Sequence, residues 1–473
     1  MARPRRIRRR GLQSINLLDL PNELLSLVFE YLSPGDLLNI CILCHRLNRL
    51  AITTIYEQAR HRPGFRRVTV ADNSVNNGLI RAVNLKIPPE DLTHIECMLG
   101  VDPVVILKET QHILESRVQG LMSFQLMSNP VFNVQSSASA KDFLNLFSLI
   151  SEKGSRSLQH LSLSSHTPIS SLSNARFPRR KALTPLQGLS SVQLMTQLIT
   201  YPVVQKWLTE SLNASPVNNL TLGGTAVDFS GLIKSLKMTH LQHFSLSSGC
   251  KLPFTEMHKF LARHSQTLQT LQIDEIISTD DQSLKAIPIR LVKTLRNLSV
   301  PPSYLPSLLP KLPKEASLCI TFLAGSFWAG AWSTYVVGLQ DALEHIRKWG
   351  AAASNRIQSV NITLGHDVEG AQQWMRAQLN EMEKHTRIEN VTSLTINCWR
   401  IDKMKDVIPE WVKGRFTNVK TCTVMSSLQD DEAIFFARKL AMMCQSMEYV
   451  QLNYDRRHVI DWMNAELKQK TRN

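Results

Sequence analysis

From residue 65 onward the chain keeps returning to one spacing: an apolar position, two variable ones, an apolar one, one variable, and a third apolar. It reads FRRVTV at Phe65, IRAVNL at Ile80, LMSFQL at Leu121, LQHLSL at Leu158, LSSVQL at Leu189 and VNNLTL at Val217. It continues as LQHFSL at Leu241, LQTLQI at Leu268, LRNLSV at Leu295, IQSVNI at Ile357, VTSLTI at Val391, VKTCTV at Val419 and MEYVQL at Met447. The alternation closing each copy predicts a short half-buried strand, because strand side chains point to opposite faces with a period of two. From Leu189 to Leu295 successive copies start 28, 24, 27 and 27 residues apart, and from Val391 to Met447 both steps are 28. A step so nearly constant predicts a stack of units, each covering an apolar flank of its neighbour.

Between the copies the period becomes helical. Tyr201–Leu212 gathers Val204, Trp207, Leu208 and Leu212 on one face, Thr255–His264 gathers Met257, Phe260 and Leu261, and Ala371–Met382 gathers Trp374, Leu379 and Met382. Two stretches break the rhythm. Ser164–Pro185 is rich in Ser and Pro and reads as an inserted loop carrying Arg176-Phe177-Pro178-Arg179-Arg180-Lys181, either a solvated run or an import or docking signal. Residues 301–350 open with PPSYLPSLLPKLPK, whose prolines predict an extended path. They close on a helix near Leu339–Trp349, with Trp328, Trp332 and Trp349 as core or as aromatic contacts for a bound protein.

Ahead of the repeats, Leu17–Ala51 predicts three short amphipathic helices. Pro21 suits the first turn of one and Ser33-Pro34-Gly35-Asp36 starts the next, with Ser as N-cap and Pro at the first helical position. Leu24, Val28 and Leu32 form one stripe and Leu25 and Phe29 a second; Leu37, Leu38, Cys41 and Cys44 follow, then Leu47 and Leu50. So few residues rarely fold alone, and two apolar faces per helix imply one for the interior and one for a partner.

This segment resembles an F-box, the module that docks a substrate receptor onto the Skp-family adaptor of a cullin–RING ubiquitin ligase. The matching residues are Leu20-Pro21, Glu23-Leu24, Val28, Leu32, Pro34, Asp36-Leu37-Leu38, Leu43-Cys44 and Arg46-Leu47, with Leu47 where the family often has Trp. The strand-plus-helix units of 24 to 28 residues resemble leucine-rich repeats, although the customary Asn after the strand is replaced by His166, Gly249, Ile276, Ser303 and Trp399. The expected fold class is therefore α/β: a small three-helix F-box over residues 17–62 capping a leucine-rich-repeat-like solenoid of short parallel strands and helices over 63–473. A basic disordered tail at 1–16 precedes it, and insertions fall near 164–185 and 301–350. The competing architecture is an irregular α/β domain in which the spacing recurs by chance.

The resemblance implies that Leu20, Pro21, Leu24, Val28, Leu32, Pro34, Leu37 and Leu38 pack on the adaptor, and that the chain works with a Skp-family adaptor and a cullin. It implies a non-catalytic receptor holding an unknown protein target on the repeats. Residues between the apolar strand positions face outward, so Gln159, His160, Ser162, Gln242, His243, Ser245, Arg296, Asn297, Lys420, Thr421 and Tyr449 are candidate target contacts. Their slightly basic character points weakly to an acidic or phosphorylated target.

Composition and charge narrow this picture. With 43% hydrophobic and 20% charged residues, the 473-residue chain reads as globular, and it holds no run of about 18 apolar residues that would span a membrane. Eight scattered Cys fit a reducing compartment. The net charge is +15, and Arg3, Arg5, Arg6, Arg8, Arg9 and Arg10 crowd into the first ten residues without an acid. Such a block reads as a solvated tail or a nuclear-import signal, and Ile7, Leu12 and Ile15 give only a thin stripe for a mitochondrial presequence. Nucleus, cytoplasm or both are the expected locations. The basic tail also keeps open a second function, a repeat scaffold binding nucleic acid or chromatin, although few aromatic residues accompany the basic ones.

Candidate chemistry adds little. Cys41-Ile42-Leu43-Cys44-His45 matches the spacing of c-type haem attachment, but both cysteines fall in an apolar predicted helix that favours inert packing. Neither a second C-x-x-C nor an H-x-x-x-H is present to complete a zinc site, and the phosphate-loop, dinucleotide-loop and nucleophile-elbow motifs are absent. No cofactor, metal or catalytic residue is expected.

Overall fold

The computed structural model describes residues 17–58, 66–71, 92–100, 102–128, 140–165, 183–224, 226–247, 249–274, 277, 294–311, 317–323, 331–350, 356–364, 367–381, 387–398, 401–425 and 430–453. The chain forms two compact units, one of residues 1–154 with 170–176 and one of 155–169 with 177–473. The Arg-rich tail, the Ile80 copy of the repeat, the 176–181 basic run, His166, Ile276, Trp328, Met382 and Trp399 lie outside the described residues.

The first unit opens with three helices, α1 (Asn22–Glu30), α2 (Pro34–Cys41) and α3 (His45–Gln58), with α3 packed on both others. Ser33 caps α2, its hydroxyl accepting from the Asp36 amide and donating to the Asp36 carboxylate. Leu25, Phe29, Leu37, Cys41, Leu47, Ala51, Ile52 and Ile55 close the small core. Three parallel strands follow in the order β1 (Arg67–Ala71), β2 (His94–Leu99) and β3 (Ser123–Ser128). Helices α4 (Pro103–Arg117) and α5 (Ala140–Gly154) pack against each other, and α4 also covers β1 and β2.

Among the described residues the second unit carries eleven strands, all parallel, lying side by side in chain order from β4 (His160–Ser165) to β14 (Tyr449–Asn453). Between them are β5 (Ser191–Met195), β6 (Asn219–Leu222), β7 (His243–Leu246), β8 (Thr270–Ile273), β9 (Asn297–Val300), β10 (Ser317–Phe322), β11 (Arg356–Leu364), β12 (Val391–Cys398) and β13 (Thr421–Met425). The helices of this unit are α6 (Pro202–Ala214), α7 (Ser230–Ser235), α8 (Phe254–Arg263), α9 (Leu305–Leu308), α10 (Ala331–Gly350), α11 (Val368–Asn380), α12 (Val407–Arg415) and α13 (Asp430–Met443). Neighbouring helices pack on one another from α6 to α8 and from α9 to α13, in step with the sheet. The class is α/β, an open solenoid of parallel strands alternating with helices.

The repeat spacing works because its three apolar positions all turn inward. Leu241, Phe244 and Leu246 are 0, 1 and 0% exposed, while Gln242, His243 and Ser245 are not buried. The stack is tied together without the customary Asn. At each strand start one carbonyl accepts from two consecutive amides of the next unit: Gln159 from Ser190 and Ser191, Ser190 from Asn218 and Asn219, Asn218 from Gln242 and His243, Gln242 from Gln269 and Thr270. Side chains reinforce these junctions. The Asn213 amide donates to the Ser235 carbonyl and accepts from the Lys237 N–H, and Arg263 donates to the carbonyls of Ile233 and Leu236.

Several expectations change. Strands β2 and β10 were not singled out: β2 carries the spacing as Leu92, Ile95 and Cys97, while in β10 the pairing of Leu298 with Ile320 puts Ser317 at the first apolar place. Residues 301–350 therefore hold a full strand and helix rather than an interruption. The Pro-rich run is not extended through its described part: Pro302–Tyr304, Leu305–Leu308 and Leu309–Lys311 are short helical turns. Pro302 and Pro306 occupy first-turn positions, where the missing N–H costs nothing, and Leu305, Leu308 and Leu309 are buried. In α11 the buried stripe is Val368, Ala371, Trp374, Met375 and Gln378, which leaves Leu379 half-buried. Trp332 and Trp349 are also half-buried, Trp332 stacking on Tyr335 with ring centroids 5.6 Å apart.

Candidate protein-docking surfaces

Helix α1 is too short to hide two apolar faces. Leu25 and Phe29 turn inward, at 0 and 1% exposed. Leu24, Leu27, Val28 and Tyr31 form an i, i+3, i+4, i+7 stripe on the opposite side, exposed by 48, 53, 46 and 89%. Ile42 and Leu43, in the turn between α2 and α3, add 65 and 66% exposed side chains, and Leu17 and Leu18 are exposed ahead of α1. Scattered single apolar residues on a surface need no explanation; a concentration like this in a few dozen residues marks an interaction site.

Three polar clamps hold this surface in shape. The Arg46 guanidinium on α3 donates to the Leu18 carbonyl at 2.6 Å, the Leu20 carbonyl at 2.5 Å and the Asn22 side-chain oxygen at 2.8 Å. Buried Asn48 donates to the Cys41 carbonyl at 3.0 Å, and Gln58 to the Leu32 carbonyl at 3.2 Å. The first fixes the approach to α1, the second the end of α2 and the third the end of α1.

Of the eight residues expected to meet an adaptor, Pro21, Leu24 and Val28 are exposed, and Leu20, Leu32 and Pro34 are half-buried. Leu37 and Leu38 are corrected: at 0 and 9% exposed they belong to the interior, because α2 turns them toward α3. Leu27, Tyr31 and Ile42, exposed on the same domain, were not singled out from sequence, and Leu43 only as part of the resemblance. The helical spacing from Leu24 would have found Leu27 and Tyr31, whereas the i, i+4, i+8 row chosen from sequence drifts around the helix to Leu32.

The second surface is the sheet face of the second unit that points away from the apolar core. Strand register aligns its outward residues in two rows. One runs His160, Ser191, Asn219, His243, Thr270, Asn297, Cys319, Ser359, Ser393, Thr421, Tyr449. The other runs Ser162, Gln193, Thr221, Ser245, Gln272, Ser299, Thr321, Asn361, Thr395, Thr423, Gln451. None of these side chains is buried and none is Lys, Arg, Asp or Glu. Seven of the eleven candidate target contacts lie in these rows: His160, Ser162, His243, Ser245, Asn297, Thr421 and Tyr449. Gln159, Gln242, Arg296 and Lys420 sit just before their strands, exposed at the edge of the face. The slightly basic character read from sequence came from that edge alone. There Lys420 is paired with Glu448, Nζ to Oε1 2.9 Å.

The haem-like pentapeptide has no open pair of thiols. Cys41 lies in the interior, burial pushes its thiol up, and the thiol donates to the Leu38 carbonyl. Among the described residues no group of three or more His, Cys, Asp or Glu could hold a metal ion, and no helix is long and apolar enough to cross a membrane.

Comparison with known proteins places a name on the first surface. No curated protein matches the chain. Among solved structures, a yeast complex of Rad7 and Elc1 is similar at 14% identity over 86% of this chain and 90% of that one, with a TM-score of 0.37. The family model described as F-box-like matches residues 17–59, a span that takes in α1, α2, α3 and every clamp named above. Residues 17–59 of this chain are an F-box-like domain.

Proposed function

We propose that the chain is a non-catalytic receptor of a cullin–RING ubiquitin ligase, docking a Skp-family adaptor through residues 17–59 and holding a target protein on its repeat sheet. The observation that carries this reading is the α1 stripe of Leu24, Leu27, Val28 and Tyr31, open to solvent within an F-box-like domain. Burying four such side chains supplies several kcal/mol at about 25 cal/mol per Å² of apolar area, enough to anchor a partner once orientation costs are met. The receptor itself needs no reacting group. Its contribution is to raise the local concentration of target lysines near the ubiquitin-carrying enzyme.

Reconstitution tests this directly. The full chain mixed with a purified Skp-family adaptor and the N-terminal half of a cullin is expected to elute as one complex with equimolar subunits. Separate elution of all three sinks the assignment. Nucleus and cytoplasm remain the proposed locations, to be checked by imaging the tagged chain with and without Arg5, Arg6, Arg8, Arg9 and Arg10.

A further inference from the structure

The charge of this protein is segregated. Charged residues make up 20% of the chain, so two rows of eleven outward sheet positions would hold about four at that share, and they hold none. The helical layer carries charge instead, as in the exposed Lys206–Glu210 pair and in Lys259 paired with half-buried Glu256. The first unit's sheet face differs too: there Arg67 pairs with Glu96, which also accepts from Thr69. Over these two rows the second unit's sheet face is uncharged across eleven described strands, its flanking charges being Asp274 just beyond Gln272 and Arg296 and Lys420 at the edge.

Its amides are held in place by their neighbours across the strands. Ser162 donates to the Gln193 side-chain oxygen, the Asn297 amide to Thr270, and the Asn397 amide, two residues beyond Thr395 on β12, to Asn361 at 3.0 Å. These lateral bonds use only part of the hydrogen-bonding capacity of each amide and hydroxyl. A charged side chain laid across these two rows loses hydration and meets no counter-charge within them, a cost on the order of several kcal/mol. A phosphate backbone needs basic residues spaced along its track, which these rows lack.

We propose that this face binds an extended, uncharged stretch of a partner polypeptide, rich in hydroxyl, amide and small apolar side chains and read by hydrogen bonds. Eleven strands span about 50 Å, which a stretch of about 16 extended residues would follow. The inference rests on the receptor reading only in taking this face as the one offered to a target. It replaces the acidic or phosphorylated target expected from sequence with an uncharged one.

The test is selection from a displayed library of random peptides of about 16 residues on the immobilised full-length chain, with capture of a Skp-family adaptor measured on the same preparation. The expected result is enrichment of peptides depleted in Asp, Glu, Lys and Arg, with affinities changing less than about twofold between about 50 and 500 mM salt. Thr221→Lys with Gln272→Lys, two strands apart in one row, should abolish their binding while leaving adaptor capture and the thermal midpoint unchanged. Should that pair unfold the chain, Ser299→Lys with Asn361→Lys serves the same purpose. Enrichment of acidic or basic peptides, binding indifferent to both double substitutions, or no enrichment at all overturns the proposal. Persisting adaptor capture alongside any of those results leaves the receptor reading standing; loss of adaptor capture defeats that reading instead.

Discussion

Arg46 and Leu20 are 26 residues apart in sequence, and the guanidinium of the first donates to the carbonyl of the second at 2.5 Å. The same group holds the Leu18 carbonyl and the Asn22 side chain. One planar cation thereby pins the approach to α1 onto α3, and with it the position of Pro21 and the start of the exposed stripe. Bonds to a charged donor are worth about 1.5 to 3 kcal/mol each when sheltered and less in the open, where these lie. Arg46→Ala is therefore expected to weaken adaptor binding by about tenfold, roughly 1.4 kcal/mol. Arg46→Lys should rescue little, since a point cation cannot satisfy the three-way fork. Titration calorimetry with a purified Skp-family adaptor measures this, and wild-type affinity in Arg46→Ala would refute it.

Neighbouring leucines on α1 should behave in opposite ways. Leu27→Asp places a charge in the outward stripe and should remove detectable adaptor capture while changing unfolding free energy by less than about 0.5 kcal/mol. Leu25→Asp buries the charge at a position 0% exposed and should unfold the three-helix region. Circular dichroism with pull-down separates the two. Replacing both Leu20 and Pro21 by Ala is likewise expected to abolish pull-down with the repeats still folded.

His264 makes the second unit sensitive to acid. It is 3% exposed, and burial, reinforced by neighbouring Arg263, lowers its pKa to about 4 from 6.5. The unfolded chain takes up a proton near 6.5 while the folded one resists it down to about 4, so stability present above 6.5 declines as the pH falls through that window. The loss is on the order of 2 to 3 kcal/mol at the bottom of the window. Urea unfolding at pH 7.0 and 4.5 should show that decline in the wild type and a shallower one in His264→Leu. Equal slopes for both would show that this imidazole is not responsible.

Inter-repeat clamps should count individually. Arg263→Ala removes donors from the carbonyls of Ile233 and Leu236 and is expected to cost about 1 to 2 kcal/mol in urea unfolding. Asn213→Ala, which loses both a donor to Ser235 and an acceptor for Lys237, should cost a similar amount. No change in either would place the cohesion of the stack in the backbone ladder alone.

Sequence carried the strands better than the surfaces. Each copy of the apolar spacing that falls among the described residues ends on a strand, its described apolar positions buried wherever their burial is given, as at Leu241, Phe244 and Leu246, where a polar replacement would be costly. What escaped was set by geometry the spacing does not encode. β10 has Ser317 at the place its neighbours fill with Leu295 and Ile357, yet it pairs on both sides. The proline run folds into helical turns because Pro302 and Pro306 fall at tolerated positions. On α1 the apolar residues were plain, but which of two apolar faces turns inward depends on where α3 lies, a tertiary fact. Leu37 was assigned outward for the same reason. The uncharged sheet face was present residue by residue in the sequence, and became visible only when strand register set those residues in line.

Hydrogen exchange of the full chain, with and without a saturating Skp-family adaptor, tests the central claim most directly. The account predicts slower exchange confined to residues 22–31 and to the turn holding Ile42 and Leu43, with the strands of the second unit unaffected. Unchanged exchange over α1, or protection appearing on the repeat sheet instead, would contradict it.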